Sequence, residues 1–212
     1  MKITWLSVIT ASLISFTATA QQDAQGTDRI GKMSVASFNS INAKGNQMVS
    51  AITPTSTKLS AADSKLMMKI AAGGQRQLAV SQAVLDKVTN PQVKLLAASE
   101  VEEQTGVSAK LKEIADAKGV TLPEGPDSEA QTLVSQAQNL SGAELDAFYI
   151  NQSGIKGHEL LQATMNTVNS TAKDATLKKL AMATLPVIKT HLSVSKEVKG
   201  MMGATGSGAT NR

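Results

Sequence analysis

Four long stretches of this 212-residue chain carry apolar residues three or four positions apart, each between helix start and stop signals. That spacing is met only by helices that bury one stripe. The first helix opens at Ser60, and its stripe is Leu66, Ile70, Gln77, Val80 or Ser81, Val84 and Val88. Asn90-Pro91 closes it and opens the second, an N-cap followed by a proline where its missing N–H is not needed. The second stripe runs Val93, Leu96, Ala97, Gln104, Val107, Leu111 and Ile114, ending at Lys118-Gly119. Ser141 and Glu144 have the S-x-x-E spacing of a capping box. They precede a third stripe of Leu145, Phe148, Ile155, His158, Leu161, Met165 and Val168. Asp174 caps the fourth helix, with Leu177, Leu180, Thr184, Ile188, His191, Val194 and Val198 on its stripe and Pro186 inside it, which predicts a kink.

The connections set the topology. Asn90 joins helices one and two as a tight hairpin, and residues 169–173 do the same for three and four. Between the hairpins lie residues 120–140, with Pro123, Gly125 and Pro126 and a short helical stretch near 130–138. A helix of about 28 residues is roughly 42 Å long, which about 13 extended residues can cross. Two hairpins with one long crossover is the ferritin-like form of the four-helix bundle, so the expected fold is all-α over residues 60–199. Residues 21–59 read as a flexible segment with a short helix over 34–52, and residues 200–212 as a Gly/Ser-rich disordered tail.

Residues 1–20 have the layout of a cleaved secretory signal. Lys2 is the positive start, residues 3–16 are largely apolar, and Ala18-Thr19-Ala20 is a small-x-small cleavage pattern. The expectation is export to the periplasm or cell envelope. Cys is 0, which removes disulfides, thiolate catalysis, lipoprotein anchoring and cysteine metal sites. Phe 3, Tyr 1 and Trp 1 give no stacking platform, and the net charge of +4 is mild, so nucleic acid is not an expected partner. Lys178, Lys179, Lys189, Lys196 and Lys199 make the fourth helix basic, a solvated face or a weak contact surface for an anionic envelope.

Gln77, Gln104, His158 and His191 fall on the inward stripes, one per helix. Gln77 lies 13 residues before Asn90 and Gln104 lies 14 after it, so those two are level. Counted from a turn near Ala172, the histidines are offset by about 7 Å along the axis. The first reading is a hydrogen-bonded polar layer that fixes bundle register in a non-enzymatic binding or structural protein, with no catalytic residue assigned and no cofactor required. The alternative is a metal-binding protein or oxidoreductase using His158 and His191 with copper, zinc or iron. A di-iron centre is disfavoured because no E-x-x-H occurs: Ile155 and Ile188 stand three residues before the histidines. Glu100 and Glu103 lie at the edge of the second stripe, and Gly73-Gly74 reads as a close helix approach rather than a phosphate loop.

Five blocks carry a family resemblance: LSAADSKLMMKIAAGGQRQLAVSQAVL (59–85), TNPQVKLLAASEVEEQT (89–105), AKGVTLP (117–123), FYINQSGIKGHELL (148–161) and LKKLAMATLPVIKTHL (177–192). In order and spacing they resemble the exported bacterial proteins grouped as domain of unknown function 4142, often labelled outer membrane proteins and similar to ferritin-like bundles. The resemblance covers residues 59–198. Its members commonly have Asp-His-Thr where this chain has Glu103, Gln104 and Thr105, and an acid where it has Gln77. His158 and His191 match. The resemblance thus implies a metal site half replaced by amides.

Overall fold

A computed structural model describes residues 28–206, so the leader expected at residues 1–20 lies outside the described residues. The fold is an all-helical bundle. Its helices are α1 (Val35–Ser50), α2 (Ala61–Val84), α3 (Pro91–Lys118), α4 (Ser128–Gln138), α5 (Gly142–Tyr149), α6 (His158–Thr171) and α7 (Ala175–Gly206). A π-helical segment, Ile150–Gly157, fuses α5 to α6 into one rod. Before α1, strands β1 (Arg29–Ile30) and β2 (Met33–Ser34) pair antiparallel.

The caps explain most of the ends. Ser60 Oγ accepts from the Asp63 N–H at 3.0 Å, and Asn90 Oδ1 accepts from Gln92 and Val93 at 2.9 and 3.3 Å. Asp174 Oδ1 accepts from Thr176 and Leu177 at 2.9 and 3.0 Å, and Gly119 ends α3 with φ +67°. The expected capping box at Ser141 does not form. Ser141 is the N-cap residue but makes no side-chain cap hydrogen bond, because Gly142 enters the helix at φ +55° and redirects the chain. Pro186 does not break α7. It sits on the solvent face, where the helical carbonyl it leaves without a donor can take water.

Two buried carboxylates hold the hairpin turns to the rest of the bundle. Asp146 of α5 accepts from the Thr89 N–H (2.9 Å), the Thr89 hydroxyl (2.7 Å) and the Asn90 N–H (3.0 Å), gripping the α2–α3 turn. At the opposite end Asp63 of α2 accepts from the Lys173 N–H at 3.0 Å, gripping the α6–α7 turn. Lys118 adds a buried link there, donating to Asp174 at 2.6 Å and to Thr55 and Thr57 of the 51–60 connection.

The core has two halves. Met67, Ile70, Leu111, Ile114, Leu177, Leu180 and Ile188 belong to one, and Phe38, Val84, Val93, Leu96, Leu145, Tyr149 and Val194 to the other. Between them every long element contributes a polar residue. The helix expected over 34–52 forms as α1, with Phe38, Asn42, Gly45 and Val49 buried. It is a fifth wall of the core rather than part of a loose leader. A Cβ on Gly45 would collide with Val187 of α7, so the glycine sets how closely α1 can pack. The last helix likewise continues past Lys199, where the disordered tail was expected, to Gly206.

The third stripe departs from the expected spacing. Phe148 and Ile155 are only half-buried, while Tyr149, Ile150, Ser153 and Gly154 face inward. The π-helical segment has a longer period than an α-helix, so a stripe counted at three and four drifts off the buried face there. Replacing Asp146 with alanine should strand three donors at the α2–α3 turn. The expected cost is about 2–4 kcal/mol of unfolding free energy, read as a lowered urea midpoint, and an unchanged midpoint would contradict this role.

Candidate metal centre

The polar layer centres on a carboxylate. Glu100 of α3 is fully buried, and its Oε2 lies 2.9 Å from His158 Nε2 and 3.0 Å from His191 Nδ1. One donor atom from each of these three residues lies within 4.8 Å of the others. Glu103, one turn along α3, brings Oε2 to 3.5 Å from His191 Nδ1 and stands outside the triad.

The surroundings fix which nitrogen of each ring faces inward. His158 Nδ1 is 2.9 Å from the Ser153 carbonyl, which only accepts, so Nδ1 carries the proton. Gln77 Nε2 donates to the same carbonyl at 3.2 Å while its Oε1 accepts from the Ser153 hydroxyl at 3.1 Å. His191 Nε2 lies 2.7 Å from Asn42 Oδ1 and donates to it, and Phe38 stacks on the ring at 5.1 Å. Each imidazole therefore spends its outer N–H on a fixed acceptor and aims its remaining nitrogen at Glu100. His158 Nε2 and Glu100 Oε1 make no aligned hydrogen bond. Two lone pairs and a carboxylate oxygen facing one another in a dry core repel unless a cation stands among them, either a proton or a metal ion.

Protonation in the metal-free site follows from that crowding. Burial pushes the Glu100 carboxyl up, but the charge and hydrogen bonds of His158 and His191 outweigh it and hold Glu100 well below the usual carboxylate range. Burial opposes charge on His158 as well, yet the Glu100 carboxylate beside it raises its pKa. For His191 burial wins and the value falls. Glu103 is raised far above the ordinary value by burial and by the neighbouring charge of Glu100. The metal-free layer thus carries one carboxylate and one imidazolium, with Glu103 and His191 neutral. Burial, then the Glu100 charge, raises Tyr149, whose hydroxyl meets Ser81 at 3.0 Å.

The donor spacing suits a metal. Bonds of about 2.1 Å place neighbouring donors roughly 3.0 Å apart at a right angle and about 3.4 Å apart at the tetrahedral angle. The two edges to Glu100 Oε2, 2.9 and 3.0 Å, match the right-angle spacing and are equally the lengths of charge-assisted hydrogen bonds. Outer nitrogens hydrogen-bonded to a carbonyl and an amide form the supporting shell that metal-bound imidazoles ordinarily have.

The model of one family, described as a domain of unknown function (DUF4142), matches residues 49–198. The chain belongs to this family. No curated protein and no solved structure matches it in the corresponding comparisons. The DUF4142 span contains Glu100, His158 and His191 and begins only at the end of α1, so Asn42 and Phe38 are additions from outside it.

Of the four residues expected in the layer, Gln77, His158 and His191 come together. Gln104 is buried one turn away, its Oε1 only 2.9 Å from where a Cβ on Gly74 would stand. The Gly73-Gly74 pair does serve close helix approach, Gly73 beneath Leu161 and Gly74 beneath Gln104. A Cβ on Gly157 would strike the Gln77 amide, so the π-helical segment must end in glycine for Gln77 to reach Ser153. Among the residues missed, Glu100 had a signal. It completes the three/four spacing between Ala97 and Gln104. Asn42 and Ser153 had none.

The pKa directions give a pH dependence. Above about pH 7 the unfolded chain has released an imidazole proton that folded His158 holds to higher pH, so stability drains away as pH rises through its raised value, and Glu103, also raised, adds its own loss as pH passes through its value. His191, whose value is depressed, adds no further change in that window. The melting temperature of metal-free protein should therefore fall from about pH 7 upward, and His158→Gln should flatten the decline. A wild-type profile that rises over that range would contradict the assignment.

Proposed function

We propose that this chain is an exported helical-bundle protein that holds one divalent first-row transition-metal ion between Glu100, His158 and His191. The observation carrying this reading is the convergence of three buried donor atoms within 4.8 Å, each imidazole with its outer nitrogen already engaged. The donor set selects among metals. Two imidazoles and one carboxylate without sulfur suit iron(II) or zinc(II), and disfavour copper(I). Export rests on the leader pattern of residues 1–20, and mature protein from the periplasm should begin at Gln21. No helix of the described residues is long and apolar enough to cross a membrane. Among the basic residues of α7, Lys189 and Lys199 are exposed and Lys196 pairs with Glu159 at 2.9 Å, which supports a solvated face better than a dedicated envelope contact.

A second reading, a polar layer that only fixes register, is favoured by the Gln77–Ser153–His158 hydrogen bonds. Metal titration separates the two. Protein stripped of metal should take up one equivalent of zinc(II) or, without oxygen, iron(II). At a hundredfold excess over Kd it should gain about 2.7 kcal/mol of stability. Glu100→Gln, His158→Ala and His191→Ala should each weaken uptake by about a hundredfold or more. Uptake unchanged in Glu100→Gln would reject the metal reading and leave the register layer standing.

A further inference from the structure

The three donor residues are closed off from solvent, Glu100 and His191 at 0% exposure and His158 at 2%, so an ion reaches them only when a wall of the bundle moves. One wall is suited to moving. α1 lies in the groove between α3 and α7, where Asn46 Nδ2 donates to Glu102 at 3.0 Å and Gly45 packs on Val187. Its buried residues are Phe38, Asn42, Gly45 and Val49, so only two fully buried apolar side chains hold it down. Asn42 Nδ2 is buried there without a hydrogen-bond partner, a cost that the docked state carries. Asn39, Asn42, Gly45 and Asn46 also lower its helix propensity. Elements with few buried apolar contacts open at the lowest free energy. The flanks, by contrast, are tied. The Gly31 and Lys32 N–H groups donate to Gln92 at 2.7 Å and to Glu197 at 2.6 Å, and beyond the other end the Thr55 hydroxyl and Thr57 carbonyl accept from Lys118. α1 is a strap, anchored on both sides and lightly seated between its anchors.

We infer that α1 is a movable cover of the metal centre: the ion enters and leaves while the strap is lifted from the α3–α7 groove, and redocking seats His191 on it. The inference rests on the metal reading above and adds its regulation. What α1 grips is a ligand. Asn42 Oδ1 takes the His191 Nε2 proton at 2.7 Å and Phe38 stacks on the ring, so the docked strap fixes the side chain whose Nδ1 faces Glu100. With α1 lifted, His191 loses both supports and can turn out toward the emptied groove, which opens the triad. The coupling is reciprocal: an ion that holds His191 in place favours docked α1 by the same factor by which docked α1 favours the ion. The matched family span begins at Val49, so the residues that grip His191 precede it.

The chain has no cysteine, and Val187 Cβ lies 3.7 Å from where a Cβ on Gly45 would stand, inside the separation that a disulfide spans. Gly45→Cys with Val187→Cys therefore pins α1 to α7 without replacing a triad residue. Oxidised, this variant of the full-length mature chain should take up zinc(II), and yield it to a chromogenic chelator, roughly tenfold or more slowly than the unlinked pair Gly45→Ser with Val187→Ser. Val49→Ala loosens the strap two turns along α1 from Asn42 and should speed both uptake and release several-fold. It decides the matter should the disulfide not form. Equal rates in the linked and unlinked pairs, or uptake by Val49→Ala at the wild-type rate, overturn this inference alone. Refusal of both zinc(II) and iron(II) by the wild type overturns the metal reading and this inference with it.

Discussion

The bundle is organised around one buried negative charge. A carboxylate moved from water into a core costs several kcal/mol unless it is paired and hydrogen-bonded there. Glu100 meets that requirement only because two imidazoles from a different hairpin reach the same oxygen. The other departures from a plain apolar bundle follow from it. The π-helical segment positions the Ser153 carbonyl to take the His158 Nδ1 proton, Gln77 holds that carbonyl, and Gly157 leaves Gln77 room. On the far side Asn42 and Phe38 of α1 do for His191 what Ser153 does for His158. At mid-height the π-helical segment and α1 thus each orient one imidazole.

The helices and their pairing were legible in the sequence because they rest on local chemistry. Ser60, Asn90-Pro91, Gly119 and Asp174 each satisfy or end a helix within a few residues of themselves, and the short turns leave antiparallel packing as the only outcome. The π-helical segment was not legible, since nothing in INQSGIKG marks a change of period, and so Phe148 stood in for Tyr149. Asn42 was hidden for another reason. Its contact spans 149 residues of sequence, and α1 looked too rich in Asn, Ser and Gly to be a core helix.

The histidine offset shows how a count from one turn centre misleads when the helix ends and side-chain direction are ignored. His158 stands 13 residues before the end of α6 and His191 16 residues after the start of α7, a difference of three residues or about 4.5 Å. Side chains lean toward the N-terminus of their own helix. In an antiparallel pair His158 therefore leans away from the turn, and His191, which starts farther from it, leans toward it. The two tilts close the gap, and the rings meet with centroids 5.3 Å apart. A family resemblance that matched these two histidines but expected an acid at Gln77 pointed to a weakened site. The acid in contact with both rings comes instead from Glu100.

Register and metal binding need not be rivals, because the same geometry serves both. The two halves of the core are assembled from similar aliphatic residues, and a slip of one hairpin past the other by two turns would still place Val, Leu and Ile against Val, Leu and Ile. Hydrophobic burial is non-directional and distinguishes such registers weakly. A slip would, however, carry Glu100 away from both imidazoles and leave an unpaired charge in the core, at a cost of about 3–5 kcal/mol. The arrangement that excludes the slipped bundle is also the one that gathers three donor atoms at coordination spacing. Selection for a uniquely packed core and selection for a metal centre would therefore preserve the same residues here.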